Sequence, residues 1–388
     1  MNYHIMADDK FIGGFIEDVT KLELLSNNVF YIRGNKNNSS PSGNAHVKWL
    51  NSEKETERLL SELSEKDKLF VHWYDIEIGK LCLALDKRIP VYAIFWGGEF
   101  YEEPEGYFKS FLFDKYTLRV YNNIKFPYYR FPIPYFITDF LNKTYHKKRL
   151  EREFNFKSKT LQRINYLAFP PNSYYEIELI KKMFNAGNIK YIEGFYDQNF
   201  DLSVSITGSE KRKNHKKSIL IGNSATVSNN HIDCFLWLKE LALTNIEIVC
   251  PLSYGEDNYK EEVILAGENN FSTSFKPIIH FMKRNEYVKL LSTIDVAIFF
   301  NNRSQAFGNI ISLIALGKKV FLKPGNPFYI NLSRLGIKVF PISENISEIK
   351  DDILIPLEKE QIEQNIKLLK ENFSDEKRLK CIEMLLSN

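Results

Sequence analysis

The chain has 388 residues, of which 44% are hydrophobic and 26% are charged, and its formal net charge at pH 7 is +3. Such a chain has material for one very large domain or two ordinary ones, and its composition is that of a soluble globular protein. The small net charge does not by itself indicate a nucleic-acid partner, and no apolar run reaches the roughly 18 residues of a membrane-spanning helix.

The N-terminal sequence and the cysteines both favour a cytoplasmic protein. MNYHIMADDKF lacks the basic start and the following apolar run of a signal peptide. The four cysteines, which are Cys82, Cys234, Cys250 and Cys381, lie in apolar segments, and none forms a C-x-x-C pair. They are expected to be buried small hydrophobic side chains in a reducing compartment.

The first half of the chain alternates short apolar runs with helical patterns. Runs rich in Val, Ile and aromatic residues predict buried strands at 29–34, 68–74 and 90–96. Helical spacing predicts helices at 53–64 and 76–87. This alternation predicts a parallel sheet wrapped by helices.

The polar segment GSEKRKNHKK at 208–217 is predicted to be a linker between a domain at 1–207 and a second domain at 218–357. In the second domain the alternation restarts. Strands are predicted at 218–222, 246–250, 295–300, 319–323 and 337–340, and helices are predicted between them at 229–243, 257–268, 284–292 and 306–316. Residues 358–388 are predicted to form a C-terminal helical tail without a strand partner. The sequence therefore predicts two α/β domains with a cleft between them.

Motifs of metal and cofactor chemistry are missing from the sequence. It has no P-loop, G-x-G-x-x-G, H-E-x-x-H or G-x-S-x-G pattern. It also lacks the Asp-x-Asp pair by which many sugar transferases hold a divalent metal, and its histidines do not show paired metal-ligand spacing. No metal and no cofactor are predicted.

Four loops of the second predicted domain each follow a strand, so in an open α/β sheet they would line one edge, where ligands bind. The first loop contains Gly222, Asn223, Ser224, Asn229 and His231. A glycine loop that leads into a helix start is typical of anion sites. The alternative is an ordinary strand–turn–helix with a capping asparagine.

The second loop follows the strand at 246–250 and contains Pro251, Tyr254, Asn258 and Tyr259. Either tyrosine could stack on a nucleotide base while donating a hydrogen bond. The alternative is a turn with surface aromatic residues.

The third loop contains Arg303 and Gln305 just before a predicted helix whose first turn holds Gly308 and Asn309. An arginine beside a helix N-terminus favours diphosphate binding. The guanidinium can donate two hydrogen bonds to phosphate oxygens, and the N–H groups of the helix can donate further ones. An exposed surface arginine is the alternative.

In the fourth loop, Asn326 is predicted to cap a helix whose first residue is Pro327, and this cap is a complete structural explanation of both residues.

Two side chains of the first predicted domain follow strands and are candidates for proton transfer. Glu99 follows the pair Gly97-Gly98, and a carboxylate at a strand end suits a general base. His72 ends another strand and is the second candidate. A solvated surface glutamate and a core histidine are the alternatives.

The segment 109–163 is aromatic and basic, with 13 Lys and Arg residues against four Asp and Glu residues and with 14 aromatic residues interleaved. Its densest part is FPYYRFPIPYF at 126–136. An anionic membrane surface fits this composition. The alternatives are a helical subdomain with an aromatic core and a basic solvated face, or a surface that binds nucleic acid.

Taken together, the loops ILIGNSATVSNNHI, CPLSYGEDNYKEEV, NNRSQAFGN and KPGNPFY, with FVHWYD and IFWGGEFY upstream, resemble those of the bacterial 4-acetamido-4,6-dideoxygalactose (Fuc4NAc) transferase family. The resemblance is densest over 218–332 and thinner over 68–101. It implies the GT-B fold, in which two Rossmann-like, doubly wound domains face each other across a cleft. It also implies a dTDP-sugar donor, an acceptor glycan on undecaprenyl diphosphate, and catalysis without a bound metal.

By this resemblance the catalytic residues are Glu99, His72 and Arg303. The nucleotide-sugar-binding residues are Gly222, Asn223, Ser224, Asn229, His231, Pro251, Tyr254, Asn258, Tyr259, Arg303, Gln305, Gly308, Asn309, Asn326 and Pro327. The sequence departs from the family's pattern at Glu99, where the family usually has Asp, and at Ala306, where the family has Gly.

The resulting hypothesis is glycosyl transfer in enterobacterial common antigen assembly, by a peripheral protein at the cytoplasmic face of the bacterial inner membrane. Arg303 and the helix starts near Ser224 and Ala306 would stabilise the leaving diphosphate. Glu99, or else His72, would accept the proton of the acceptor hydroxyl if the reaction inverts configuration, and a retaining reaction would not require a discrete base.

Three alternatives stay open at this point. Another deoxysugar transferase, for O-antigen or capsule, would share the fold and the mechanism. An epimerase-like GT-B enzyme would need further acid/base pairs. A non-catalytic module would bind nucleotide-sugar and lose nothing when Glu99 is changed.

Overall fold

The computed structural model describes residues 1–8, 12–34, 46–94, 96–102, 104–125, 135–194 and 216–387, with the backbone alone for 135–146. The chain divides into two compact units. Unit 1 comprises Met1–Tyr107, Lys143–Gln198 and Asn372–Asn388, and unit 2 comprises Phe108–Asn142 and Asn199–Glu371.

Unit 1 contains a parallel sheet of seven strands in the order β3-β2-β1-β4-β5-β6-β7. The strands are β1 (Asn2–Ala7), β2 (Asn28–Arg33), β3 (Val47–Trp49), β4 (Lys68–Val71), β5 (Val91–Ile94), β6 (Tyr166–Phe169) and β7 (Lys190–Glu193). All four residues of β5 are buried, as expected for a central strand that is covered on both faces. The strand order reverses direction between β1 and β4, which is the doubly wound pattern.

Unit 2 contains a parallel sheet of six strands in the order β10-β9-β8-β11-β12-β13. The strands are β8 (Lys217–Ile221), β9 (Ile246–Pro251), β10 (Phe275–Ile278), β11 (Val296–Phe299), β12 (Lys319–Leu322) and β13 (Phe340–Pro341). The strand order reverses between β8 and β11, so the loops after these two strands flank the topological switch point, where ligands bind in open α/β sheets.

The helices connect these strands. In chain order they are α1 (Ile12–Lys21), α2 (Glu53–Glu62), α3 (Ile76–Ala84), α4 (Gly98–Tyr101), α5 (Lys109–Leu112), α6 (Lys115–Lys125), α7 (Tyr135–Leu161), α8 (Tyr174–Phe184), α9 (His231–Glu240), α10 (Asp257–Phe271), α11 (Arg284–Ser292), α12 (Phe307–Ala315), α13 (Pro327–Arg334), α14 (Ile346–Lys350), α15 (Lys359–Phe373) and α16 (Asp375–Ser387). Two of them start at caps that the sequence encodes, because Ser52 forms a capping box with Glu55 and the Asp75 carboxylate accepts a hydrogen bond from the N–H of Ile78.

The segment with α5 and α6 belongs to unit 2, which differs from the domain predicted at 1–207. The carboxylate of Asp233 on α9 accepts hydrogen bonds from the N–H groups of Tyr116 (3.0 Å) and Thr117 (2.7 Å) at the start of α6. The Lys323 ammonium forms an ion pair with Asp114, and the Tyr121 ring lies in the hydrophobic core of the second sheet. These contacts join α6 to the second sheet although the two are far apart in sequence. Residues 208–215 of the predicted linker lie outside the described residues.

The predicted tail is helical, but it is divided between the two units. Residues 358–371 belong to unit 2 and α16 belongs to unit 1. Ile382, Leu385 and Leu386 on α16 lie in the core of the first sheet. Arg378 forms a buried ion pair with Asp18 on α1. Helix α16 is therefore a part of the first α/β unit and not a separate appendage.

Candidate active site

The loop after β8 is built around a glycine. Gly222 has a φ of +66°, and a Cβ atom at this position would lie 2.8 Å from Nε2 of His231 and 3.1 Å from Oδ1 of Asn229. The Asn229 amide donates hydrogen bonds to the backbone oxygen of Ser224 (3.0 Å) and to its hydroxyl (3.2 Å). Glycine is thus required both by the backbone conformation and by the close packing beneath the loop.

His231, the first residue of α9, is fully buried beneath this loop. Its Nδ1 lies 3.4 Å from the Tyr259 hydroxyl, and its Nε2 has no hydrogen-bond partner among the residues that the structure describes. Burial lowers the pKa of His231 to about 3, so the imidazole is neutral at pH 7. His231 and Asn229 therefore support the loop from behind, which is a packing role.

The two tyrosines of the second loop differ in their environment. Tyr259 on α10 is fully buried in the core, so the prediction that its ring stacks on a base is wrong. Tyr254 is 56% exposed, so stacking of its ring on a base stays a prediction. Its hydroxyl accepts a hydrogen bond from the Asn223 amide (3.0 Å). Asn258 is exposed in the first turn of α10, and Pro251 is buried as the last residue of β9.

A chain of polar side chains joins three of the predicted loops. The Gln305 amide donates to Oδ1 of Asn223 (3.2 Å), and the Ser228 hydroxyl donates to Oε1 of Gln305 (2.8 Å). Together with the bond from Asn223 to Tyr254, these contacts fix the loops after β8, β9 and β11 against one another. Predicted site residues from separate parts of the chain thus form one cluster at the switch point.

The N-terminus of α12 borders this cluster. Its N-cap residue, Ala306, makes no side-chain cap hydrogen bond, and Gly308 and Asn309 in its first turn are partly exposed. The Asn309 amide donates to the Tyr287 hydroxyl (3.2 Å). A helix start without a side-chain cap attracts anions through its N–H groups and its dipole.

Arg303 lies just before this helix and is 6% exposed. Its Nη1 donates to the backbone oxygen of Ser304 (2.7 Å). The loop around it is held by Asn326, whose amide donates to the backbone oxygens of Asn301 (2.9 Å) and Arg303 (3.0 Å). Asn326 also caps α13, which begins at Pro327, so the predicted cap is confirmed.

Ala306, the residue before α12, has a φ of +63°. Glycine adopts this left-handed conformation without strain, whereas the Cβ atom of alanine makes it strained. The resemblance had implied a glycine at this position. We expect Ala306→Gly to raise the free energy of unfolding by about 1 kcal/mol, because it relieves this backbone strain. The measurement is equilibrium urea unfolding, with Ala315→Gly at the end of the same helix as a control that should destabilise. A destabilised Ala306→Gly protein would show that the strain is not significant.

In unit 1, Glu99 is buried in the short helix α4. Its Oε1 accepts a hydrogen bond from the N–H of Trp96 (2.8 Å), so the carboxylate is bonded to the segment that leads from β5 into α4. The ammonium of Lys157 on α7 donates to the backbone oxygens of Glu99 and Phe100. These contacts hold Glu99 in place after β5, and its role as a base stays a prediction.

His72 follows β4 and is part of a buried relay that the sequence analysis missed. Nε2 of His72 lies 2.9 Å from Nδ1 of His4, and Nε2 of His4 lies 2.8 Å from Oδ1 of Asn28. The Asn28 amide nitrogen donates to the backbone oxygen of Leu24 (2.6 Å), so Oδ1 is the acceptor for His4. This order assigns the Nε2–H tautomer to both histidines and leaves Nδ1 as the basic atom of His72.

Burial keeps both histidines neutral. It lowers the pKa of His4 to about 4, and it lowers the pKa of His72 well below its usual range, with a further contribution from His4. The signal that could have revealed the relay is His4 within the apolar run of β1, beside β4 in the sheet.

Comparisons with known proteins agree with this architecture. The trehalose-phosphate synthase of Burkholderia vietnamiensis, described as UDP-forming, superposes with a TM-score of 0.61 at 11% identity, with 100% of both chains covered. The N-terminal domain of Candida albicans trehalose-6-phosphate phosphatase gives 0.62 at 9% identity, covering 100% of this chain and 96% of the other. An E. coli structure described as bound with UDP-2-fluoro glucose gives 0.61 at 10% identity, covering 100% and 98%.

At these identities the structural likeness establishes the fold, which is the two-domain α/β fold of GT-B glycosyltransferases. The family model described as 4-alpha-L-fucosyltransferase, glycosyl transferase group 56, matches residues 188–377. This segment is therefore similar to glycosyl transferase group 56, and the protein is a glycosyltransferase. The family resemblance seen in the sequence is thereby confirmed.

The described residues contain neither a cluster of metal-binding side chains nor a membrane-spanning helix. Within 1–8, 12–34, 46–94, 96–102, 104–125, 135–194 and 216–387, no group of three or more His, Cys, Asp or Glu side chains could hold a metal ion. In the same part of the chain, no helix has the length and apolar character needed to cross a membrane.

Proposed function

We propose that the protein transfers a 4-acetamido-4,6-dideoxyhexose of the Fuc4NAc type from a dTDP-sugar to a polyprenyl-diphosphate-linked glycan in bacterial surface polysaccharide synthesis. The observation that carries the proposal is the N-terminus of α12, whose N-cap residue Ala306 supplies no side-chain cap, next to Arg303 at the switch point of unit 2. The match to a family described as a fucosyltransferase supports a deoxyhexose donor.

In this proposal the donor diphosphate binds at the start of α12. The reaction breaks the bond between the sugar and the diphosphate, so negative charge develops on the leaving oxygen. Arg303 and the N–H groups of the first turn stabilise that charge, and such electrostatic stabilisation is usually the largest catalytic contribution. The exposed ring of Tyr254 stacks on the base, and its hydroxyl is held by Asn223.

The acceptor hydroxyl loses its proton when the new glycosidic bond forms. If the reaction inverts configuration, Glu99 or Nδ1 of His72 accepts this proton. The relay through His4 and Asn28 makes Nδ1 the basic nitrogen of His72, but burial lowers the pKa of His72 well below its usual range and so weakens it as a base.

The proposed function is tested by incubating the protein with dTDP-Fuc4NAc and a polyprenyl-diphosphate glycan, with and without EDTA, and detecting the extended glycan by mass spectrometry. We expect transfer from the dTDP-sugar, insensitive to EDTA. Arg303→Ala should lower kcat/KM roughly 10- to 100-fold, since a hydrogen bond to a charged group contributes about 1.5–3 kcal/mol. The control is Arg334→Ala, which removes an exposed arginine from α13. Transfer that is the same in both variants would refute the assigned role of Arg303.

We further propose that the protein docks on the cytoplasmic face of the inner membrane through the basic aromatic segment 109–163. Exposed cationic residues on α7 support this proposal, among them Lys147, Lys148 and Arg149. The part at 126–134, within the densest aromatic run, lies outside the described residues.

Docking predicts that the protein co-sediments with vesicles containing anionic lipid and is released by salt, because attraction between Lys or Arg and the headgroups is screened. The triple variant Lys147→Gln, Lys148→Gln and Arg149→Gln should bind less than the native protein, whereas neutral vesicles should bind neither. Equal binding to neutral and anionic vesicles would contradict the proposal.

A further inference from the structure

Trp73 is a large aromatic side chain that is exposed where β4 ends, next to the switch point of the first sheet. It is 39% exposed, whereas its two neighbours in the chain, His72 and Tyr74, are buried. The N–H of His72 donates to the backbone oxygen of Ile5 (2.9 Å), and the Tyr74 hydroxyl forms a hydrogen bond with the Thr160 hydroxyl. Both neighbours are thus held inside unit 1, and they fix the backbone that carries the exposed indole.

The loop after β5 leaves this indole uncovered. Strand β5 pairs with β4, so the loops that follow the two strands lie at the same edge of the sheet. A Cβ atom on Gly98, the first residue of α4, would lie 3.4 Å from Cη2 of Trp73 and 3.4 Å from Oε2 of Glu102. The glycine therefore packs against the edge of the indole, where a longer side chain would collide with the ring or cover it.

Trp73 offers two kinds of contact to a ligand. Its faces are apolar, and its Nε1–H makes no hydrogen bond with any residue that the structure describes. A pyranose ring has C–H groups on its faces and oxygen atoms around its edge, so it stacks on an aromatic face and accepts a hydrogen bond from the N–H at the same time. The Glu102 carboxylate beside Gly98 is an acceptor for ring hydroxyls. This combination fits a sugar.

The same two loops carry both candidates for proton transfer. Trp73 directly follows His72, and Gly98 directly precedes Glu99. A sugar ring that stacks on Trp73 is therefore bound by the loops that hold the candidate bases. An inverting transferase needs its acceptor at such a place, because the acceptor hydroxyl must lie within hydrogen-bond reach of the base.

Two other occupants fit this surface less well. A nucleotide base also stacks on an indole, but the diphosphate site proposed above is built from the loops of unit 2. An anionic lipid surface is attracted by Lys and Arg side chains and would be repelled by the Glu102 carboxylate.

We propose that Trp73 is the platform on which the terminal pyranose ring of the acceptor stacks. The proposal rests on the proposed transferase function, for which it names a residue that binds the acceptor. Stacking uses the C–H face of the ring, which neutral and acidic pyranoses share, so Trp73 recognises the ring and not its charge.

The first test needs no donor. The methyl β-glycosides of glucose, N-acetylglucosamine and glucuronic acid share one ring shape, with axial C–H groups on both faces. We expect saturation-transfer NMR with the full-length protein, irradiated at its aromatic protons, to show binding of at least one of them and stronger saturation of one face of the ring. Trp73→Ala should weaken this binding about tenfold, and Trp73→Phe should retain most of it because it keeps an aromatic face.

The matched control is Tyr175→Ala. Tyr175 is an exposed aromatic residue on α8 of unit 1, and it is not among the atoms nearest to Gly98. Its loss should leave glycoside binding unchanged. The platform is overturned if none of these glycosides binds the native protein, or if the native and Trp73→Ala proteins bind them equally.

The second test uses transfer. Trp73→Ala should raise the KM for the polyprenyl-diphosphate glycan about tenfold, whereas its affinity for dTDP should equal that of the native protein. A fall in dTDP affinity would assign Trp73 to the donor and overturn the acceptor platform. Transfer with an unchanged acceptor KM in Trp73→Ala would refute the platform and leave the proposed function intact. If the glycosides bind through Trp73 but no dTDP-sugar is transferred, the proposed function fails while the sugar site stands.

Discussion

Gly222→Ala is expected to lower the free energy of unfolding by roughly 2–5 kcal/mol. The left-handed conformation costs a residue with a Cβ atom about 1–2 kcal/mol. The new methyl group would also lie 2.8 Å from Nε2 of His231 and 3.1 Å from Oδ1 of Asn229, so buried groups would have to move, and overpacking of this kind typically costs about 1–3 kcal/mol. Since Asn229 and His231 support the loop, nucleotide affinity should fall together with stability.

Equilibrium urea unfolding measures the loss of stability in Gly222→Ala, and Gly325→Ala is the control. Gly325 lies in unit 2 without a positive φ, and a Cβ atom there would have nothing within 4 Å, so its change should stay within about 0.5 kcal/mol. A Gly222→Ala protein as stable as the Gly325→Ala protein would show that the loop is not packed as described.

Asn230→Ala is expected to detach α6 from the second sheet at a cost of about 3–5 kcal/mol, because several buried backbone groups lose their partner at once. The Asn230 amide donates to the backbone oxygens of Leu112 (2.9 Å) and Phe300 (3.2 Å), and its Oδ1 accepts from the N–H of Asp114 (2.8 Å). Its φ of +52° adds to the cost, since alanine tolerates this conformation less well than asparagine.

Hydrogen exchange distinguishes this effect from a general loss of stability. The amides of α6 should exchange faster in Asn230→Ala than those of α12, whereas Asn269→Ala, on the exposed side of α10, should change neither helix. Uniform acceleration across unit 2, or no change in α6, would contradict the assignment of α6 to this unit.

The sequence predicted four of the six strands of the second sheet well, because each of these four is a short apolar run bounded by turn residues. Strand β10 was missed, and the strand predicted at 337–340 shares only Phe340 with β13. Four predicted strands, at 218–222, 246–250, 295–300 and 319–323, overlap β8, β9, β11 and β12 closely. In the first sheet β1 was missed, since Tyr3 and His4 interrupt the apolar run in NYHIMA. The relay partner of His72 was missed with that strand, because the pairing of β1 with β4 brings the two histidines together.

The place of α6 could not be read from local patterns. Its contacts with Asn230 and Asp233 join residues more than 110 positions apart, and no periodicity within either segment encodes such a pairing.

Tyr259, in contrast, could have been assigned correctly to the buried core. Tyr259, Val263 and Gly267 repeat every four residues and are the buried face of α10, whereas Tyr254 precedes that helix.

The candidate site also contains residues that local sequence predicts and contacts that only the whole fold determines. Residues whose role is a local cap or turn, such as Gly222 and Asn326, were predictable from residue type and position after a strand. The hydrogen bonds that link Asn223, Tyr254 and Gln305 depend on which strands are neighbours in the sheet, and that order follows from the fold as a whole.

Nucleotide binding at the loops after β8 and β11 is tested most directly by isothermal titration of the native protein and of Arg303→Ala with dTDP, UDP, GDP and CDP in the presence of EDTA. We expect dTDP to bind most tightly to the native protein and Arg303→Ala to weaken this binding about 10- to 100-fold. A preference for UDP or GDP would support the diphosphate site but would indicate a donor other than a dTDP-sugar. If no nucleotide binds, the proposed donor site is refuted, and the loops after β8 and β11 are structural connections only.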